Sequence, residues 1–316
     1  MKVLVTGATG FVGRALVPAL IAAGHEVAAT VRQTPAPSFV DGVTVHWVAD
    51  IGPDTDWTGA LRGVDAVVHL AGRAHVMSER AADPQAEFRR INAAGTECLA
   101  RAAAAEGVKR FVLMSTVKVM GEETRDAPFC ETDTPAPEDA YGASKLAAEQ
   151  ALLAIAGESG LQPVILRPPL VYGPGAKGNV LSLLKLCRLA APLPLAAIDN
   201  RRSLIFVGNL VDAVIVCLEN PAASGQTFFV RDGEDLSTPD LIRRVGHALN
   251  RPVRLFPVPP ALLRMVGRMT GKSRTIQRLR GSLQVNDDKI RRQLTWTPPF
   301  NVVKGLDKMA AWFKNP

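Results

Sequence analysis

Tyr141 and Lys145 stand four residues apart in the pentapeptide YGASK, at the head of the alanine- and leucine-rich stretch LAAEQALLAIA. On a helix, that spacing puts both side chains on one face. A free phenol titrates at about pH 10 and is a poor acid or base at neutrality. An ammonium held nearby favours the phenolate, so the pair is expected to be a phenol lowered in pKa and usable for proton transfer. A proton-transfer group of this kind needs a partner that takes or gives electrons. Residues 1–14, MKVLVTGATGFVGR, supply the place for one: a short apolar run, then Gly7, Gly10 and Gly13, then an apolar-periodic segment. This reads as strand, tight turn and helix. Such a turn lets the backbone approach a dinucleotide pyrophosphate, while the helix N-terminus points unpaired N–H groups at it.

The elements that must position these groups follow in order. EVAATVR, residues 26–32, is expected to be a second strand. Dinucleotide folds commonly end this strand in an acidic residue that holds the adenosine ribose. Here Arg32 stands there, suited to stacking on adenine or pairing with a 2'-phosphate, so NADP(H) is favoured over NAD(H). Asp50 ends a third strand, where it is either an acceptor for the adenine amino group or a surface carboxylate. DAVVHLAG, residues 65–72, has the unbroken apolar character of a buried parallel strand, and its Ala71–Gly72 end passes close to the cofactor. A helix over residues 84–106 carries Asn92, and a strand over 110–115 ends at Ser115 and Thr116. Strands alternating with helices in this way imply a Rossmann-type doubly wound α/β fold, with a parallel sheet covered on both faces.

Composition bounds the rest. At 316 residues, 47% hydrophobic and 21% charged, the chain suits one large domain or a large and a small one. No apolar run reaches the roughly 18 residues of a membrane span, and the chain enters a strand directly, so the cytoplasm is expected. Cys98, Cys130, Cys187 and Cys217 are scattered, which suggests neither a zinc site nor a disulfide framework. The net charge of +7 is densest in residues 264–292, at Arg264, Arg268, Lys272, Arg274, Arg278, Arg280, Lys289, Arg291 and Arg292. Without a nucleic-acid motif, this reads as a solvated face with one or two ligand-facing arginines. The segment PALLRMVGRM, residues 260–269, reads as a helix of a smaller lobe rather than one lying on a membrane.

GATGFVG, HLAG, INAAGT, MSTVKVMG, YGASK and RPPLVYGP, in this order and spacing, resemble the extended short-chain dehydrogenase/reductases of the NAD-dependent epimerase/dehydratase group, over residues 1–299. The resemblance implies a catalytic set of Thr116, Tyr141 and Lys145: Tyr141 moves the proton, Lys145 binds the nicotinamide ribose, and Thr116 holds the reacting oxygen. It implies a cofactor lined by Gly7, Gly10, Phe11, Val12, Gly13, Arg32, Asp50, Ile51, Leu70, Ala71, Gly72, Asn92 and Pro168 as well as Tyr141 and Lys145. Residues 1–170 would form the dinucleotide-binding domain, with a return to it at about 200–230, and 171–316 mainly a smaller α/β substrate lobe. There Arg202 and either Arg278 or Arg280 would pair with the diphosphate of a UDP-sugar, the expected partner.

Departures from the family pattern narrow the activity. Val117 and Lys118 replace the Asp-Glu of dehydratases, which disfavours dehydration. Leu170 replaces a substrate-holding asparagine, with Asn179 as its substitute. The reading set first is an NADPH-dependent 4-ketoreductase acting on a UDP-4-keto-6-deoxy-N-acetylhexosamine for surface polysaccharide. The alternatives are a UDP-glucose or UDP-N-acetylglucosamine 4-epimerase with bound NAD, and a non-catalytic dinucleotide sensor or scaffold. A homodimer through the helices bearing Asn92 and Tyr141 is left open.

Overall fold

The structure, a computed structural model, describes residues 1–32, 39–74, 83–269, 271 and 273–315. Of the basic residues named above, Lys272 and the side chain of Arg274 lie outside the described residues. The strands are β1 (Lys2–Thr6), β2 (Glu26–Val31), β3 (Val43–Trp47), β4 (Ala66–His69), β5 (Arg110–Met114), β6 (Gln162–Arg167), β7 (Leu170–Tyr172), β8 (Arg202–Phe206), β9 (Gln226–Phe229) and β10 (Asp235–Leu236). The helices are α1 (Phe11–Ala22), α2 (Thr58–Leu61), α3 (Pro84–Phe88), α4 (Gly95–Ala105), α5 (Ala140–Glu158), α6 (Gly178–Arg188), α7 (Val207–Glu219), α8 (Thr238–Ala248), α9 (Pro260–Met269), α10 (Ser273–Arg280), α11 (Asp288–Leu294) and α12 (Val302–Lys314).

Seven strands pair in the order β3-β2-β1-β4-β5-β6-β9, every pair parallel. β1, β2, β4 and β6 are runs of valine, alanine, leucine and isoleucine buried on both faces, as interior parallel strands must be. β3 lies at the edge, and there Val45 and Trp47 face solvent. On one face α1 and α7 pack Leu16, Val17 and Leu20 against Leu210, Val214 and Cys217. On the other, α4 and α5 bring Leu99 and Ala103 together with Leu152 and Ile155. The strand order reverses between β1 and β4, which opens a crevice beyond their carboxyl ends, where such folds take ligands.

A second sheet, β10-β8-β7, carries the smaller lobe. α6, α8 and α12 cover it with Leu184, Cys187, Val245, Leu306 and Met309. The chain crosses between the two parts: β8 stays in the small sheet, whereas α7 and β9 return to the large one. Leu236 belongs to β10, and α8 begins at Thr238 behind an N-cap in which Ser237 Oγ accepts from Asp240 N at 3.1 Å. The continuous helix expected over 84–106 is instead α3 and α4 joined by a wider π turn, Arg89–Ala94. Its centre is Asn92.

Candidate active site

The glycine turn is held open by its neighbours. Gly7 has φ +72°, and a Cβ there would lie 2.7 Å from Ala71 N. A Cβ on Gly13 would lie 2.3 Å from Gly7 O, so α1 is pressed onto the turn as no larger residue permits. At the head of α1, Gly10 offers no side-chain cap and the first turn holds no acid, so the end N–H groups are left for an anion. Phe11 and Val12 follow, half-buried. Across the crevice, the β4 end brings Leu70, Ala71 and Gly72 against the turn.

β2 and β3 end side by side, with Arg32 exposed and Asp50 next to it. Arg32 makes no hydrogen bond among the described residues, and its charge helps hold Asp50 below the usual carboxylate range. The larger cause is Arg90, whose Nη1 sits 2.6 Å from Asp50 Oδ2. Ile51 is buried beside Gly95.

Asn92 is 1% exposed and spends its amide on the protein. Oδ1 accepts from Arg73 N at 2.7 Å, and Nδ2 donates to Arg73 O at 3.0 Å and to Ser144 Oγ at 2.9 Å. It therefore ties the loop after β4 to the helix of Tyr141. Behind it runs a buried polar chain that the sequence did not reveal. Thr96 Oγ1 donates to Asn92 O at 2.6 Å, which leaves it to accept from His69 Nε2 at 3.1 Å. His69 Nδ1 then accepts from Thr6 Oγ1 at 2.6 Å. The ring is neutral, since burial and then the Lys145 charge push its pKa down to about 3.

The catalytic candidates converge on α5 and the end of β5. Asp139 N-caps α5 by accepting from Gly142 N at 2.7 Å. Tyr141 is hydrogen-bonded to Thr116, which is 8% exposed. Val117 N donates to Pro168 O at 2.9 Å, which brings Pro168 to the same corner. Lys145 is 4% exposed and its Nζ makes no hydrogen bond among the described residues. The electrostatics depart from the sequence expectation of a lowered phenol. Burial, with Asp139 second, pushes Tyr141 up to about 12, and the Thr116 hydrogen bond only offsets this. Burial pushes Lys145 down to about 8 despite Glu149. Both groups are driven toward their neutral forms because burial disfavours their charged forms. Tyr172, the other tyrosine, is structural, donating to Asp232 Oδ2 at 2.6 Å.

Three further features escaped the sequence reading. Glu149, one turn beyond Lys145, accepts from Ser115 Oγ and is paired with Arg167 Nη2 at 2.6 Å, with both charges buried. Its spacing, one further helical step of four beyond Tyr141 and Lys145, was the available signal. Lys118 Nζ lies 2.5 Å from both Glu122 Oε1 and Asp139 Oδ2, so it answers the carboxylate that opposes Tyr141 ionisation. Ser144, within the pentapeptide itself, is the anchor for Asn92.

The substrate candidates are less concentrated. Arg202 Nη1 donates to Arg278 O and Gly281 O at 2.9 Å each, which joins β8 to the end of α10. Burial lowers its pKa, with Glu122 and Glu123 acting in the opposite sense. Arg278 is exposed, and Arg280 lines a cavity of about 350 Å³ with Arg264, Arg268 and Glu123. Asn179 lies exposed in the first turn of α6, apart from them. No cluster of metal-ligating side chains and no helix long and apolar enough to cross a membrane occurs among the described residues.

Residues 3–230 match the model of the NAD dependent epimerase/dehydratase family. The chain is 42% identical over 315 residues to a UDP-glucose 4-epimerase of Vibrio cholerae, covering 99% of this chain and 95% of that one. Its fold superposes on a UDP-N-acetylglucosamine 4-epimerase from Bacillus cereus with TM-score 0.79 and 21% identity, each chain covered fully. It matches a UDP-glucuronic acid 4-epimerase from Bacillus cereus in complex with NAD at TM-score 0.79 and 20% identity, covering 99% and 97% of the two chains.

Proposed function

This chain belongs to the NAD dependent epimerase/dehydratase family, and we propose that it inverts C4 of a UDP-sugar with NAD as its resident cofactor. The observation that carries this is Thr116 set against Tyr141, with Lys145 one turn along the same helix, in a chain 42% identical to a UDP-glucose 4-epimerase. The crevice fits a dinucleotide: the cradle at Gly7 and Gly13 has no room for a Cβ, the head of α1 is uncapped, and Lys145, a residue only 4% exposed, keeps an ammonium with no hydrogen-bond partner among the described residues. When bound there, NAD supplies a reversible hydride acceptor and a positive charge.

The chain's own residues do the rest. Tyr141 takes the C4 hydroxyl proton and gives it back on the other face of the sugar. At neutral pH its phenol holds a proton in the ligand-free chain, so loss of that proton depends on positive charge brought to it. Lys145 remains largely an ammonium at pH 7, one helical turn from Tyr141 on the same face of α5. Thr116 hydrogen-bonds Tyr141 and the reacting oxygen, and Arg202 with Arg280 receives the diphosphate.

The relatives fit the 4-epimerase alternative better than the ketoreductase placed first from Arg32 and Leu170. Reduction with NADPH keeps one supporting observation, the exposed Arg32 at the end of β2. Protein purified without added cofactor and then denatured discriminates between the two. Release of NAD, together with UDP-sugar interconversion needing no added reductant, supports the epimerase. Oxidation of added NADPH by a UDP-4-keto sugar overturns it.

A further inference from the structure

The excess positive charge of this chain resides in one segment. Residues 251–286 hold eight basic residues and no aspartate or glutamate, whereas the other 280 residues carry 29 basic against 30 acidic. α9 lies in the middle of that segment. It buries Leu263, yet Leu262, Met265 and Met269 are 44%, 51% and 79% exposed. Positions i, i+3 and i+7 share one helix face, so these three side chains form a continuous apolar stripe in water. Arg264 and Arg268, both exposed, border it, and Phe256 adds another exposed apolar side chain in the preceding loop. From sequence alone this helix reads as an ordinary part of the lobe, but such a helix would turn its methionines inward.

We propose that α9 seats the protein on an anionic lipid bilayer, with Leu262, Met265 and Met269 entering the headgroup–acyl boundary and Arg264 and Arg268 meeting lipid phosphates. An apolar stripe bordered by arginines is what an interfacial helix requires, with burial and charge acting together. A second copy suits the face poorly. Two-fold pairing would set arginines against arginines, with Glu123 of the adjoining cavity the one acid beside Arg264 and Arg268 there among the described residues. Duplex nucleic acid would use the arginines and leave the stripe in water.

The test is flotation of the full chain with phosphatidylcholine vesicles, either pure or containing about one-third phosphatidylglycerol. It is read without turnover, and so stands independently of the epimerase proposal. Binding is expected to the mixed vesicles only, and to fall as salt rises. Met265→Glu with Met269→Glu lowers partitioning at least about tenfold, as expected for withdrawing two methionines from lipid. Arg268→Gln lowers it about fivefold. Met269→Gln, at the most exposed position, repeats the test with a milder change and an unchanged circular dichroism spectrum. Three results overturn the proposal: no binding to the mixed vesicles, binding that the methionine changes leave intact, or self-association or DNA binding in place of lipid binding.

Discussion

Asn92 Nδ2 donates to Ser144 Oγ at 2.9 Å, and this one bond fastens the π turn after α3 to the helix that carries Tyr141 and Lys145. The same amide closes on both backbone groups of Arg73, which follow the β4 end lining the cofactor crevice. Asn92→Ala strands one buried and two part-buried partners and is expected to cost about 2–4 kcal/mol in denaturant unfolding. Ser144→Ala alone is expected to cost about 1 kcal/mol. A double-mutant cycle checks the link: a coupling of about 0.5 kcal/mol or more is predicted, and additive losses would show that the two residues act separately.

Glu149 and Arg167 are 2% and 7% exposed and answer each other in the interior, one helical turn from Lys145. Glu149→Gln leaves a buried guanidinium without its counter-ion and is expected to destabilise by about 3–5 kcal/mol. Glu149→Leu combined with Arg167→Met removes both charges and should recover most of that loss. Glu149 is also the carboxylate that holds Lys145 up against burial, so the single change drives the lysine pKa further below about 8. Chemical denaturation of the three proteins, with the Lys145 pKa followed by nuclear magnetic resonance, checks both effects.

Lys145 couples stability to pH with a definite sign. Its pKa is pushed from 10.5 to about 8 by burial, so between those values the unfolded chain binds more protons than the folded one. Stability therefore rises with pH across that window, and below it the cost of burying the ammonium is fully present. Tyr141 acts separately: its pKa is pushed from 10.0 to about 12, so it lowers stability only as the pH climbs above 10. Lys145→Met is expected to stabilise the ligand-free protein by about 1–3 kcal/mol at pH 7 while abolishing turnover. Melting curves at pH 7 and above pH 10 decide this, since the gain should vanish at the higher pH.

Much of the candidate site could be proposed from sequence because its residue types sit at telling local spacings. Gly7, Gly10 and Gly13 announce the turn, and Tyr141 with Lys145 announces a shared helix face. Apolar runs such as AVVH disclose central strands. Contacts between distant positions leave no such trace. His69 lies between Thr6 and Thr96 only once three elements are packed, and Glu149 meets Arg167 only across α5 and β6. The π turn is invisible because one widened turn hardly disturbs an apolar period. The direction of the Tyr141 shift was misjudged for a related reason: spacing shows that Lys145 shares a helix face with Tyr141, whereas the burial and the Asp139 charge that set the shift depend on the whole fold.

If the Tyr141 phenol moves the C4 proton of a UDP-sugar, replacing it by phenylalanine removes the group that carries that proton. Nuclear magnetic resonance of UDP-glucose mixed with the purified protein, without added reductant, should show UDP-galactose forming to equilibrium. Tyr141→Phe, with unchanged melting temperature and NAD content, should cut that rate by about 100-fold to 10,000-fold. Interconversion at the wild-type rate by the phenylalanine variant would show that Tyr141 does not carry the proton.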